Sequence, residues 1–226
     1  MSQFTLRDCQ FHGGSLWTYY PTVSLTNCLL ERVDVELTPT DTNTTVFRNN
    51  LMWGGTFDFA PDQTNSIIAD NLFDGTSIPE NDIPYVGGHN AYVTNCDTLI
   101  PTLPGDIILT NSPAYQSSWL GNYYLPTNSP LISAGSTTAD QMGLYHYTVT
   151  TNQVVEGMNT VSIGYHYVAV DQYGNPLDSN GDGIPDYLED ANGNGIYDAG
   201  DLGDWVISPF NGLTMANGLQ VYTPLH

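Results

Sequence analysis

The chain has 226 residues, enough for one large all-β domain or a domain with a small appendage. Its 24 acidic residues face three basic ones, Arg7, Arg32 and Arg48, and there is no lysine, for a net charge of −21. That balance excludes nucleic acid and anionic membrane surfaces as partners, because phosphate contacts need Lys and Arg. No apolar run is long enough to span a bilayer.

The first hundred residues carry a repeat. Phe4–Phe11, Val23–Leu30, Thr45–Met52, Ser66–Phe73 and Ala91–Thr98 each read as a short alternating apolar segment, then Asp or Asn, then Cys or Asn. The last column is Cys9, Cys28, Asn50, Asn71 and Cys96, spaced 19, 22, 21 and 25 residues. Period-2 alternation marks half-buried strand, and Gly13-Gly14, Pro61-Asp62 and Gly87-Gly88 read as turns between units.

A coil of this length fits one rung of a parallel β-solenoid, with rungs stacked about 4.8 Å apart. Stacking predicts an inner ladder of Leu6, Leu25, Phe47, Ile68 and Val93, and a second of Phe11, Leu30, Met52 and Phe73. The Asp/Asn and Cys/Asn columns fall at a turn, where their side chains are expected to bond backbone groups and one another. An antiparallel sandwich of short strands is the alternative.

The pattern resembles the right-handed parallel β-helix repeats of bacterial extracellular proteins over about residues 4–150. By that resemblance Gly121–Gly135 and Met142–Tyr147 are the last rungs, with Ser133 standing where the family often has an acid. The expected fold is therefore all-β, a right-handed parallel β-helix over residues 1–170 with irregular final coils. Cys9 and Cys28 fall one rung apart, within disulfide range, but a stack of buried thiols is the preferred reading, since ladder side chains point the same way. An odd cysteine count without CxxC argues against zinc.

Residues 171–204 hold two consecutive twelve-residue acidic loops. The first supplies Asp178, Asn180, Asp182, Ile184 (through its carbonyl), Asp186 and Glu189, with Gly183 at the sharp turn. The second supplies Asp190, Asn192, Asn194, Ile196 (carbonyl), Asp198 and Asp201, with fewer charges and a shorter last ligand, hence weaker binding. Eight of the 24 acids lie in residues 178–204 with no base among them.

All ligands are hard oxygens, so the expected cofactor is calcium, two ions. There is no room for EF-hand helices. The loops resemble thrombospondin type 3 or dockerin-type calcium repeats, although Asp204–Gly212 reads as loop and strand rather than a dockerin helix. Residues 205–226 are expected to form a C-terminal strand or cap. A solvated acidic linker is the alternative to calcium loops.

Calcium loops of this kind suit millimolar calcium, so the expected location is the cell surface or outside the cell. Met1 opening directly onto strand-like sequence reads as a cut from a longer precursor, and the bare first rung leaves a sheet edge for upstream sequence or a second copy to cover. The expected role is structural or adhesive, with head-to-tail self-assembly. The rival is a β-helix that binds or cleaves surface polysaccharide. For that rival Asp34 with Glu36, or Asp70 with Asp74, are the candidate carboxylate pairs, and Trp17, Tyr19, Tyr20 and Trp53 the candidate sugar-stacking rings. The five histidines are scattered and read as surface or packing residues.

Overall fold

A computed structural model of the chain describes residues 3–19, 22–38, 44–59, 66–79, 82, 84–94 and 96–206. The first coil is β1 (Gln3–Arg7) and β2 (Gln10–Tyr19), the second β3 (Thr22–Thr26) and β4 (Leu29–Thr38). The third is β5 (Thr45–Arg48), β6 (Leu51–Trp53) and β7 (Thr56–Phe59). The fourth is β8 (Ser66–Ala69) with β9 (Leu72–Asp74), the fifth β10 (Tyr85–Gly88) with β11 (Ala91–Val93), and β12 (Ile107–Leu109) follows.

Strands β1-β3-β5-β8-β10 form one parallel sheet, and β2-β4-β6-β9-β11-β12, with β7 beside β4, form the other. This is a parallel β-solenoid of about five turns. Leu6, Leu25, Phe47 and Ile68 stand in register, as do Phe11, Leu30, Met52 and Phe73. From the second rung onward both ladders are buried in one core, with Phe73 stacked on Tyr92 at 5.3 Å.

The fifth rung departs from the sequence reading. Gly87, not Val93, pairs with Ile68, and Ala91 pairs with Leu72. The column residue is therefore Asn90 rather than Cys96, and Asp106 continues it. Gly13-Gly14 lie inside β2 and Gly87-Gly88 inside β10 rather than in turns, and Pro61-Asp62 lie outside the described residues; glycine is required at Gly87 because an added Cβ would sit 2.7 Å from the Ile68 carbonyl oxygen of the rung beside it.

Two columns make the corner between the sheets. Asp8, Asn27, Asn49, Asp70 and His89 all adopt positive φ, between 52° and 61°, a conformation that short polar side chains tolerate best. The next column is a continuous amide ladder. Backbone N–H groups of Cys28, Asn50, Asn71 and Asn90 donate to the side-chain oxygens of Asn50, Asn71, Asn90 and Asp106 at 2.8, 3.0, 3.1 and 2.9 Å. Asn50 and Asn71 also donate their amide N–H to the next side chain at 2.9 and 3.0 Å, and to the Leu25 and Phe47 carbonyls.

Every member from Cys28 to Asn90 is fully buried, so each bond lost leaves an orphaned polar group. Asn71→Ala strands Asn50 N–H and the Phe47 carbonyl. It is expected to cost about 3 kcal/mol in urea unfolding, whereas Asn71→Cys, the residue this column uses at Cys28, costs less. Equal midpoints for N71A and wild type would show the ladder to be ornamental.

The segment after residue 112 does not continue the stack. Strands β13 (Gln116–Ser118) and β14 (Gly121–Tyr124) pair antiparallel, as do β15 (Tyr147–Thr148) and β16 (Tyr167–Val168). Gly121–Gly135 and Met142–Tyr147 therefore lie along the flank of the solenoid and are not its last rungs. Tyr124, Leu125, Leu131, Val149, Ile163 and Tyr167 cover the outward column Leu29, Leu51, Leu72 and Ala91.

The positive-φ corner provides the rest of the docking. Asn27 exchanges hydrogen bonds with the His166 backbone at 3.0 and 2.7 Å, Asn49 donates to the Ser162 carbonyl at 3.3 Å, and Ser136 donates twice to the buried Asp70 at 2.6 and 2.7 Å. At the ends of the column Tyr147 donates to Asp8, and a His89 ring nitrogen lies 3.0 Å from the Ala134 carbonyl oxygen.

Among the described residues the one α-helix is α1 (Asp186–Glu189), beside a 3₁₀ turn at Asp140–Met142. No helix is long and apolar enough to cross a membrane. Residues 207–226, most of the expected cap, lie outside the described residues.

Candidate metal centre

The two acidic loops fold alike. In loop one Gly183 N–H donates to Asp178 Oδ2 at 2.9 Å, Asp182 N–H to Asn180 Oδ1 at 2.9 Å, and Ile184 N–H to Asp182 Oδ1 at 2.8 Å. Twelve residues on, Gly195 N–H donates to Asp190 Oδ2 at 2.6 Å, Asn194 N–H to Asn192 Oδ1 at 3.0 Å, and Ile196 N–H to Asn194 Oδ1 at 2.7 Å. Gly183 and Gly195 hold φ of 92° and 75°, which a side chain would resist. The short oxygen-bearing side chains at positions 1, 3 and 5 thus turn inward over the backbone of each loop.

The loops close differently. In the first, α1 is a single turn that buries Asp186 and Glu189. Asp186 accepts Ser179 N–H and Oγ–H, both at 2.6 Å. Glu189 is only 1% exposed, and its hydrogen-bond donor is the Asn180 amide at 3.3 and 3.2 Å. Burial raises its pKa, and the carboxylates of Asp182, Asp186 and Asp178 raise it further. In the second loop Asn192 and Asn194 donate to Asp198 at 2.9–3.2 Å, while Asp201 accepts Ala191 N–H at 3.0 Å and Asp198 N–H at 2.8 Å.

Among the described residues no group of three His, Cys, Asp or Glu side chains is set at metal-holding geometry. The donor set nevertheless fits a hard cation. It is all oxygen, and the carboxylates of Asp178, Asp182 and Asp186 crowd the buried Glu189 with no basic side chain in the segment. Asp178, Asn180, Asp182, Asp186 and Glu189, with the Ile184 carbonyl, are the groups that would hold an ion there. Asp190, Asn192, Asn194, Asp198 and Asp201, with the Ile196 carbonyl, are the counterparts in loop two.

The docking of these loops on the flank has no local signal in the sequence. Asp190, 1% exposed, lies 2.9 Å from the ring nitrogen of buried His146. Tyr145 N–H donates to the Gly193 carbonyl at 3.1 Å. Trp205 packs edge-on against His146 at 4.8 Å and tilted against Tyr145 at 5.7 Å. The partners lie tens of residues apart in sequence, so no spacing rule finds them.

Of the candidate carboxylate pairs, Asp70 and Asp74 are engaged in packing, whereas Asp34 and Glu36 lie on an outward face. Asp70 is held by Ser136 and Arg48, and Asp74 accepts Ser112 Oγ–H and Tyr115 OH, so both anchor covering segments. Asp34 and Glu36 share the outward face of β4, with Glu36 in register with Asp58 and exposed Trp17. Tyr19 is also exposed, Trp53 packs against Tyr123, and Tyr20 lies outside the described residues.

All three arginines are paired: Arg7 with Asp8 and the Gly143 carbonyl, Arg32 with Glu31, Arg48 with Asp70. No free basic strip for a polyanionic substrate is left among them. Compared with known proteins, the chain matches no protein-family model, no curated protein and no solved structure.

Proposed function

We propose that the chain is a calcium-binding β-solenoid module of the cell surface or extracellular space with a structural or adhesive role. In this reading two calcium ions, one in Asp178–Glu189 and one in Asp190–Asp201, hold the loop segment against the solenoid flank. The observation that carries it is the repetition, at an offset of twelve residues, of one oxygen-lined loop framework around buried acids. Calcium supplies the positive charge that the segment lacks. In this reading the ions are drawn from the millimolar calcium outside cells, which accords with an extracellular location. The stacked solenoid supports a scaffold or adhesive role, and in this reading a second copy covers the side of β1 and β2 that is unpaired among the described residues.

The test is calorimetric titration of the calcium-stripped chain. Wild type is expected to bind two ions. Glu189→Gln, which removes the one acid able to bind loop one's ion through two charged oxygens, weakens one of them by on the order of 100-fold and leaves the other unchanged. No heat of binding in the wild type, or an unaltered isotherm in E189Q, overturns the assignment.

A further inference from the structure

The amide ladder ends at its first two members in sulfur. Cys9 and Cys28 occupy the column that Asn50, Asn71 and Asn90 continue, one rung apart. In that column neighbouring side chains reach one another, as Asn50 and Asn71 do at 2.9 Å. Both thiols are free and turn the same way, each lying near the carbonyl two residues before it, at 3.2 Å for Arg7 and 3.5 Å for Thr26.

Adjacent rungs put Cα atoms about 4.8 Å apart, inside the range a disulfide spans. Bridging then needs rotation about one Cα–Cβ bond and a slight pinch of the backbone. The pinch is available here because β1 and β2 stand at an end of their sheets among the described residues and are paired on one side only. Phe4, Leu6, Cys9 and Phe11 of this rung are half-buried, where their counterparts in the next rung are fully buried. The rung with the less buried apolar side chains is thus the one that gains most from a cross-link.

We propose that Cys9 and Cys28 form a cross-rung redox pair, oxidised by small-molecule disulfides such as oxidised glutathione, that staples the first described rung to the second. The half-exposed Cys9 thiolate attacks the glutathione disulfide and expels one glutathione thiolate. Cys28 gives its proton to solvent, attacks the Cys9 sulfur of the mixed disulfide and expels the second. Two protein thiols are oxidised, and one glutathione disulfide becomes two thiols that take up the two protons. Burial pushes the Cys28 thiol up to about 12, so the second step is the slow one.

Cys96 is an internal control. It sits beyond the fifth rung, where Thr76 N–H donates to its sulfur at 3.1 Å and the Phe73 carbonyl lies 3.3 Å away. The folded chain is incubated with oxidised glutathione at about pH 8, alkylated and digested with chymotrypsin without reduction. A peptide pair linked through Cys9 and Cys28, with Cys96 alkylated, is expected, together with a melting temperature raised by on the order of 5 °C that reductant reverses. A glutathione adduct that persists on Cys9, a Cys9-to-Cys9 dimer, or two alkylated thiols at Cys9 and Cys28 each overturns the proposal.

Discussion

Chelating calcium with excess EGTA is expected to lower the melting temperature by on the order of 10 °C and to change the fluorescence of Trp205 before the solenoid melts. A site with a micromolar dissociation constant in millimolar calcium contributes about 4 kcal/mol by linkage, so two sites contribute about 8 kcal/mol to the loop segment. The solenoid feels only part of this. Loops stripped of their ions can open by themselves, and the rest of the fold then loses the contacts they made: His146 with Asp190, Tyr145 with Gly193, and Trp205 over both rings. Trp205 therefore reports the first event. Trp205→Phe should abolish the early fluorescence change while keeping the calcium dependence of the main transition. Superimposable melts with and without calcium would remove the structural role from these loops.

The first four rungs are legible in the sequence because their ladders are set by local spacing. Leu6, Leu25, Phe47 and Ile68 recur because each rung must bury its own inner face, and a periodic requirement leaves a periodic sequence. The fifth rung is not legible in this way, because Gly87-Gly88 reads locally as a turn signal. Here close approach between rungs selects glycine inside a strand, and the true column residue, Asn90, is hidden behind His89. The 25-residue step to Cys96 was the visible symptom, against 19 for the actual step to Asn90.

Leu29-Leu30, Leu51-Met52 and Leu72-Phe73 break the alternation with paired apolar residues, which means that both faces of that sheet are covered. What covers them has no comparable signature. The flank meets the corner column through contacts such as Asn27 to His166 and Asn49 to Ser162, more than a hundred residues apart, and uses single backbone groups that no side-chain pattern encodes.

That flank also makes acid stability a measurable property of two residues. His166 is fully buried, and neither ring nitrogen has a well-formed hydrogen bond. Burial lowers its pKa to about 3, offset slightly by the Gly164 backbone. The unfolded chain takes up this proton at about pH 6.5, so His166 stabilises the fold fully above pH 6.5, and that stability is lost as pH falls towards 3. At 1.36 kcal/mol per unit the loss reaches about 5 kcal/mol.

Glu156, whose Oε1 lies 3.9 Å from His166 Nε2, works in the other direction. Burial raises it to about 6, against the hydrogen bonds donated by Ser162 N–H and Oγ–H. The folded state therefore binds its proton first, and stability rises by about 2 kcal/mol as pH falls from 6 to 4.5. The ionised carboxylate would favour an imidazolium beside it, but below about pH 6 it is itself mostly neutral in the fold and gives no such help.

The two effects nearly cancel between pH 6.5 and 4.5, and the His166 loss is unopposed below. His166→Phe keeps the backbone bond to Asn27 and removes both orphaned nitrogens. Relative to wild type it should gain stability as pH falls, by about 3 kcal/mol at pH 4.5 and about 5 kcal/mol near pH 3. Glu156→Gln should lose stability relative to wild type over the same upper interval, by about 2 kcal/mol. Taking each variant's difference from wild type cancels the contributions of the other acids, and urea melts at pH 7, 5.5, 4.5 and about 3.5 suffice to read the sign. A His166→Phe curve parallel to wild type across that range would mean that the buried imidazole gains its proton without cost, and that the covering segment opens to water there.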